Sequence, residues 1–322
     1  MMIRSLVIAA FVATAIPSAR VMAQGTEQHD ATDTSDNEGD DLMNMLKDPA
    51  DANKKEYVTA TFKATRLING HSIENLGMGV LDFRISHRFN NLNTGFEDFF
   101  GLDGATTKIG FDYGVTNWLQ VGIGRSSYEK EYDGYIKAKI LRQTTDNKMP
   151  ISLSYLGSYM IKTMKVDMPA GQEYYTSNRM SYANQIIIAR KFSEILSLQL
   201  MPTHVHYNLV KYKDDPNNLF AIGIGGRLKL NRRISLNAEW YYRPGDIPRD
   251  TRNSLAIGFD IETGGHVFQL HFTNATGMTE RTFIGQTTGD WANGDIRFGF
   301  NISRVFTIVR PKEFKNSRNK IY

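Results

Sequence analysis

The chain has 322 residues, of which 41% are hydrophobic and 22% charged, with no cysteine, and a mean hydropathy of −0.37. The missing cysteine excludes disulfides, thiolate catalysis and cysteine-bound zinc or iron. Past the N-terminal segment no stretch approaches the roughly 18 to 20 apolar residues of a spanning helix. The formal charge of +4 hides a division, because residues 57–322 hold 33 Lys and Arg against 24 Asp and Glu. These charges are spread through alternating strands with no nucleic-acid motif among them, so anionic lipid or small solutes, not nucleic acid, are the expected partners.

Residues 1–23 read as a signal peptide. Arg4 is its positive end, Ser5 to Ile16 is apolar but too short to span, Pro17 breaks it, and Val21-Met22-Ala23 supplies small residues before a cut. Gln24, not cysteine, follows, so no lipoprotein anchor is expected. Residues 24–56 form an acidic leader: between Gln24 and Asp51 there are nine Asp or Glu against one Lys, Lys47. Such a composition cannot bury enough apolar surface to offset its conformational entropy, and a disordered tether is expected. Its DLMNMLK string (41–47) offers periplasmic proteins one amphipathic turn.

From Val80 onward the pattern has period two, the mark of strands between unlike surroundings. In the KIGFDYGVTNWLQVGIG string (108–124), Ile109, Phe111, Tyr113 and Val115 oppose Lys108, Gly110, Asp112 and Gly114. Eleven further runs, near 80–89, 118–126, 131–143, 149–162, 180–191, 194–207, 218–230, 233–243, 254–263, 265–274 and 294–308, join the run at 105–115. Ile186, Ile187 and Ile188 stand consecutively in one of them and weaken its alternation. Twelve alternating strands predict an all-β fold, a closed antiparallel transmembrane β-barrel in up-and-down order, over residues 78–308. Connections of alternating length support it: the links at 115–118, 143–149, 191–194, 230–233 and 263–265 are short, and most of those between them are long. Short turns face the periplasm in such barrels.

That parity places residues 57–77 outside the strand count. A thirteenth strand there would have to begin outside the cell, so the segment is expected in the periplasm or inside the lumen as a plug, with Thr59, Thr61, Lys63 and Thr65 suited to polar surroundings. Residues 309–322 form a basic C-terminal tail.

The inner face then collects Arg84, Arg88, Lys108, Lys137, Lys139, Arg227, Lys229 and Arg297 with Asp82, Asp112, Asp133, Glu239, Asp260 and Glu262. A balanced set of this kind on a low-dielectric wall reads as a cross-strand salt-bridge lattice. The functional alternative is a mildly cationic passage for small solutes. Trp118, Tyr132, Tyr155, Tyr159, Tyr182, Trp240 and Tyr242 lie at strand ends, as interfacial aromatics do. In the loop after the first strand, Phe96, Phe99 and Phe100 are too apolar for free solution and are expected to fold into the mouth as a constriction or to lie on the interface; a protein-binding patch is the alternative.

Little points to an enzyme. His204 and His206 share one strand face at a spacing that suits a metal, yet no third ligand is near in sequence, and they remain weak candidates. Ser126 and Ser127 lack a nucleophile-elbow context. Gly223, Gly225 and Gly226 sit mid-strand and not in a phosphate loop, so no cofactor is expected.

The strings TFKATRLINGHSIENL (61–76), VLDFRISHRF (80–89), EDFFGLDGA (97–105), DYGVTNWLQVGIGRSSYEKEYDGYIKAKILRQ (112–143) and HFTNATGMTERTFIGQT (271–287) resemble an uncharacterised family of bacterial outer-membrane β-barrels, a domain of unknown function. The resemblance implies an outer-membrane barrel and brings no catalytic residue, ligand or solute with it. A narrow channel or facilitator for small, anionic solutes is the functional expectation. A structural or docking barrel without transport is the alternative.

Overall fold

The computed structural model describes residues 55–164, 174–263 and 266–309. The expected signal peptide, nearly all of the acidic leader and the basic tail beyond Val309 lie outside them. Twelve strands form the wall: β1 (Val80–Asn91), β2 (Ala105–Gly114), β3 (Leu119–Ser126), β4 (Glu131–Leu141), β5 (Ser152–Lys162), β6 (Met180–Lys191), β7 (Leu196–Tyr207), β8 (Asn218–Lys229), β9 (Ile234–Tyr242), β10 (Ser254–Thr263), β11 (His266–Thr273) and β12 (Arg297–Thr307). Each pairs antiparallel with its sequence neighbours, and β1 closes the ring on β12. Closure leaves no unpaired edge, the condition under which strands cross hydrocarbon. One short helix, α1 (Glu280–Gly285), lies in the connection between β11 and β12. No helix among the described residues is long and apolar enough to cross a membrane.

The period-two pattern becomes two surfaces. On β2, Ile109 and Phe111 point outward at 44% and 43% exposure, while Lys108 and Asp112 are buried inside. The outer face continues through Ile123, Ile136, Leu200, Phe220, Ile224 and Phe259, all exposed. Such an apolar outside with a polar inside is inverted relative to a soluble protein and suits a shell of lipid.

The three consecutive isoleucines do not interrupt this. Ile186 faces outward, Ile187 inward with no exposure, and Ile188 outward again. Both sides of the wall are apolar there, because one arc of the interior is itself a hydrophobic core. Leu156, Met160, Ile187, Met201, Val205 and Leu219, on β5 to β8, are all buried at 0–1% exposure and belong to one cluster.

Connection lengths follow the expected parity with two exceptions. The connection between β3 and β4 (127–130) is short though it lies at the long-loop end, and that between β4 and β5 (142–151) is the longest at the other end. The extra length is used: Tyr57 bridges to Thr144, the Val58 N–H donates to the Gln143 carbonyl at 2.9 Å, and the Thr145 N–H donates to the Glu56 carbonyl at 3.1 Å. This turn therefore grips the chain just before it passes inside the ring.

Because Ile109 stands at the centre of β2 on the outer face, Ile109→Arg is expected to cost about 2–4 kcal/mol of barrel stability. Urea-dependent refolding into vesicles, followed by heat-modifiable electrophoretic mobility, measures this. Ile109→Leu should be nearly neutral.

Candidate functional site: a lumen filled from both ends

Residues 59–77 run inside the ring as a hairpin that rises from the short-turn end and returns to it. Its arms are joined by the Arg66–His71 bridge, with the Ser72 N–H donating to the Thr65 carbonyl at 3.0 Å and the Leu67 N–H to the Gly70 carbonyl at 2.9 Å. Thr61, Phe62, Thr65 to Ile73 and Leu76 are buried. A chain buried in this position has main-chain polar groups that need partners, and wall side chains take that role. Gln199 accepts from the Ile73 N–H at 2.8 Å and donates to the His71 carbonyl at 2.7 Å. Gln120 accepts from the Leu76 N–H at 2.9 Å, Gln269 donates to the Leu67 carbonyl at 2.8 Å, and Asn301 donates to the Ile68 carbonyl at 3.0 Å.

The inward charges serve the same purpose. The Arg227 guanidinium donates to the carbonyls of Ala60 and Thr61 at 2.7 and 3.1 Å, and the Lys137 ammonium to those of Ser72 and Glu74. Glu239 is the acidic counterpart: the successive N–H groups of Ile68, Asn69 and Gly70 donate to its carboxylate at 3.3, 2.7 and 3.1 Å. Above them the hairpin's side chains fit the wall. Leu67 lies over Gly225, where an added Cβ would come within 2.7 Å of Leu67 Cδ2.

From the long-loop end the connection 274–296 folds inward and carries α1. Phe283 and Ile284 are fully buried in the apolar arc, and Phe283 meets Tyr241 edge-on at 5.1 Å. Arg281 pairs with Glu129 and, at 3.3 Å, with Glu131, while Tyr207 donates to the Arg281 carbonyl at 2.7 Å. The neighbouring Glu280 points down to the hairpin, 3.3 Å from Arg66 and 3.5 Å from His71. Burial first, and then the Arg66 and Lys137 cations, hold the His71 imidazole well below its usual pKa. The ring is therefore neutral at pH 7, and Arg66 supplies the charge that Glu280 meets. The two inserted segments touch at this point.

Each inward residue expected from sequence has a place in this arrangement. Arg84 pairs with Asp82 and Asp112 at 2.7 and 2.8 Å and donates to Thr65 Oγ1 at 2.6 Å; Lys108 pairs with Asp133 at 2.7 Å. These are the wall's own ion pairs. Arg88 donates to the side chains of Asn301 and Asn69 and makes no ion pair among the described residues. Asp260 accepts from Gln269 at 2.9 Å, and Glu262, at the short-turn end, meets Lys63 of the hairpin. Lys139 lies 3.9 Å from Glu74 and Lys229 4.0 Å from Glu194, both near that end. Arg297 is half-buried near the other rim.

One of the two places expected for the phenylalanine loop, the mouth, is ruled out, and the two weak metal candidates lie away from the lumen. Phe96, Phe99 and Phe100 do not fill the mouth: they are 78%, 54% and 49% exposed and pack on one another at 6.3–6.5 Å between rings. The connection 274–296 occupies that place, because its apolar Phe283 and Ile284 find the hydrophobic arc. His204 and His206 lie on the outer face of β7, where Asn218 Oδ1 bridges them at 3.0 and 2.8 Å. No group of three or more metal-ligating residues occurs among the described residues.

Open space remains at each end. A vestibule of about 480 Å³ at the long-loop end includes Tyr128, Lys162, Arg179, Tyr207, Tyr212 and Arg281, and one of about 360 Å³ at the other end includes Tyr57, Gln143, Lys191 and Glu194. Between wall and hairpin, Arg66, Arg84, Arg88, Lys108, Asp112 and Asp133 border a void of about 20 Å³, the room of a single water.

A closed ring of twelve antiparallel strands, apolar outside and polar within, defines a transmembrane β-barrel of the bacterial outer membrane. Residues 62–306 match the family described as Membrane bound beta barrel domain (DUF5777), and the chain belongs to that family. Among solved structures it is similar to the NanC porin at 9% identity and a TM-score of 0.44, over 71% of this chain and 100% of that chain. It is similar to the KdgM porin in complex with disordered oligogalacturonate at 8% and 0.42, over 70% and 99%. A third similarity is to an outer membrane channel from Pseudomonas putida F1 at 14% and 0.39, over 73% and 98%. Likenesses this distant transfer neither solute nor activity. No curated protein matches the chain.

The Glu239 carboxylate accepts three hydrogen bonds from the hairpin tip, and hydrogen bonds to a charged group contribute about 1.5–3 kcal/mol each. With no native cysteine, Ile68→Cys is a clean reporter of tip exposure. Adding Glu239→Ala to it should raise the maleimide labelling rate at least about tenfold, while Glu262→Ala, at the short-turn end, should leave it nearly unchanged.

Proposed function

We propose that this barrel is a gated channel for small solutes, mildly favouring anions, whose closed state is the one described. One observation carries the reading: three inward charges, Arg227, Lys137 and Glu239, hydrogen-bond main-chain groups of the hairpin and make no direct ion pair among the described residues. Ion pairs such as Lys108–Asp133 satisfy each other with or without the hairpin, whereas these three charges would be freed to meet water and solute once it left. With the hairpin withdrawn toward the short-turn end, those groups would line a hydrated path beside Arg84 and Arg88. Charged linings select solutes in channels by this logic. The inward set holds more cations than anions, and that gives the preference its sign.

A second reading has an observation of its own. Leu67 and Ile73 are each 1% exposed within the apolar cluster, a grip that also suits a permanently filled barrel serving to dock partners through its termini. Burying each such side chain stabilises by about 1.5–3 kcal/mol. Replacing both, Leu67→Ser with Ile73→Ser, should therefore raise the open probability in planar bilayers on the order of 100-fold or more. Reversal potentials in a salt gradient should show the anion preference, and Arg88→Glu should reduce it. A double variant that keeps its heat-modifiable mobility and stays silent would support the docking barrel instead.

A further inference from the structure

The lumen is chemically two-sided. Leu156, Met160, Ile187, Met201, Val205 and Leu219 make an apolar arc on β5 to β8, against which Leu67 and Ile73 of the hairpin and Phe283 and Ile284 of α1 pack. In a ring of twelve strands the arc centred between β6 and β7 lies opposite the junction of β12 and β1, and β1 carries Arg84 and Arg88. A path for ions or sugars would not call for six buried aliphatic side chains on its wall. Once the hairpin withdraws, that arc meets water unless an apolar group replaces Leu67 and Ile73.

The wall behind this arc is also interrupted. The ladder between β6 and β7 pairs Gln185 with Thr203 and resumes at Ile188 with Leu200, so Ile186 and Ile187 pair with β5 and not with Pro202 and Met201 across this seam. Pro202 has no N–H to donate, and proline inside a sheet marks a local break in pairing. The gap coincides with Ile187 and Met201 and leaves the register of the two strands unchanged, so the bilayer and the apolar arc are separated there by a wall that lacks two pairings of this ladder.

We infer that the solute is an anionic amphiphile, an unbranched apolar chain ending in an acidic head. The chain would take the place of Leu67 and Ile73 along β5 to β8, and the head would take Arg88, which makes no ion pair among the described residues and is held only by neutral groups. This rests on the gated-channel reading and adds the solute class to it.

Photolabelling in proteoliposomes tests the assignment. The full chain and the Leu67→Ser, Ile73→Ser variant are reconstituted, and small-ion conductance is recorded from the same preparations. Palmitate bearing a diazirine at mid-chain is compared with the corresponding uncharged palmityl alcohol. The palmitate probe is expected to label Leu156, Ile187, Met201 and Val205 in the variant, and the alcohol to label them about tenfold less, as loss of a charge-assisted contact implies. Arg88→Gln should remove most of that difference. Outward-facing Ile186, Leu198 and Leu200 touch lipid in any case and serve as the internal standard. Labels confined to these outward residues in a variant that conducts would overturn the amphiphile while leaving the channel. Inward labelling equal for acid and alcohol would overturn the anionic head. Inward labelling in a silent barrel would overturn the channel and keep the binding.

Discussion

A polypeptide segment that is not a strand of the wall carries N–H and C=O groups into a space with almost no water, and every one of them needs a partner. Residues 59–77 meet that requirement by borrowing side chains from the ring. Gln120 and Asn301 answer one main-chain group each, Gln199 answers an N–H and a carbonyl, Gln269, Arg227 and Lys137 answer pairs of carbonyls, and Glu239 answers three successive N–H groups. The inner wall is consequently rich in amides and in charges whose direct partners are main-chain groups of the hairpin. Wall and hairpin are two halves of one hydrogen-bonding pattern.

Packing adds a second hold of a different kind. The arc on β5 to β8 is as apolar as a soluble core, and it receives the hairpin from one end and α1 from the other. Polar contacts fix the register of the hairpin, since an amide finds its carboxamide in one position only. Apolar contacts set how firmly it stays, in proportion to the area they remove from water. Glu280 joins the two inserted segments through Arg66, so a movement of either one is felt by the other.

The wall was legible in the sequence because lipid imposes a period of two on every strand. Ile109 and Phe111 against Lys108 and Asp112 announce their faces without any knowledge of neighbours. The hydrophobic arc was not legible by that rule, since a strand apolar on both sides loses its alternation. Ile186 to Ile188 carried the signal, three isoleucines in a row, which marks a strand with lipid on one side and an apolar interior on the other. The partners of Arg227 and Lys137 were out of reach for another reason: they are main-chain carbonyls, and a backbone acceptor leaves no trace in residue identity. The inward fold of 274–296 was hidden likewise, because Phe283 and Ile284 make sense only against a core assembled from distant strands. Phe96, Phe99 and Phe100 drew attention as the more aromatic loop, yet their rings find one another and not the lumen.

The central claim is that the hairpin is a movable closure, and locking it is the most direct test. The chain has no cysteine, so Ile73→Cys and Gln199→Cys, whose backbone and side chain are joined by a hydrogen bond of 2.8 Å in the native protein, can be bridged with a short cleavable thiol cross-linker. Single-channel recording of the double variant should show openings before bridging, none once the bridge is complete by mass spectrometry, and openings again after cleavage. Openings that persist unchanged through a complete bridge would contradict the account.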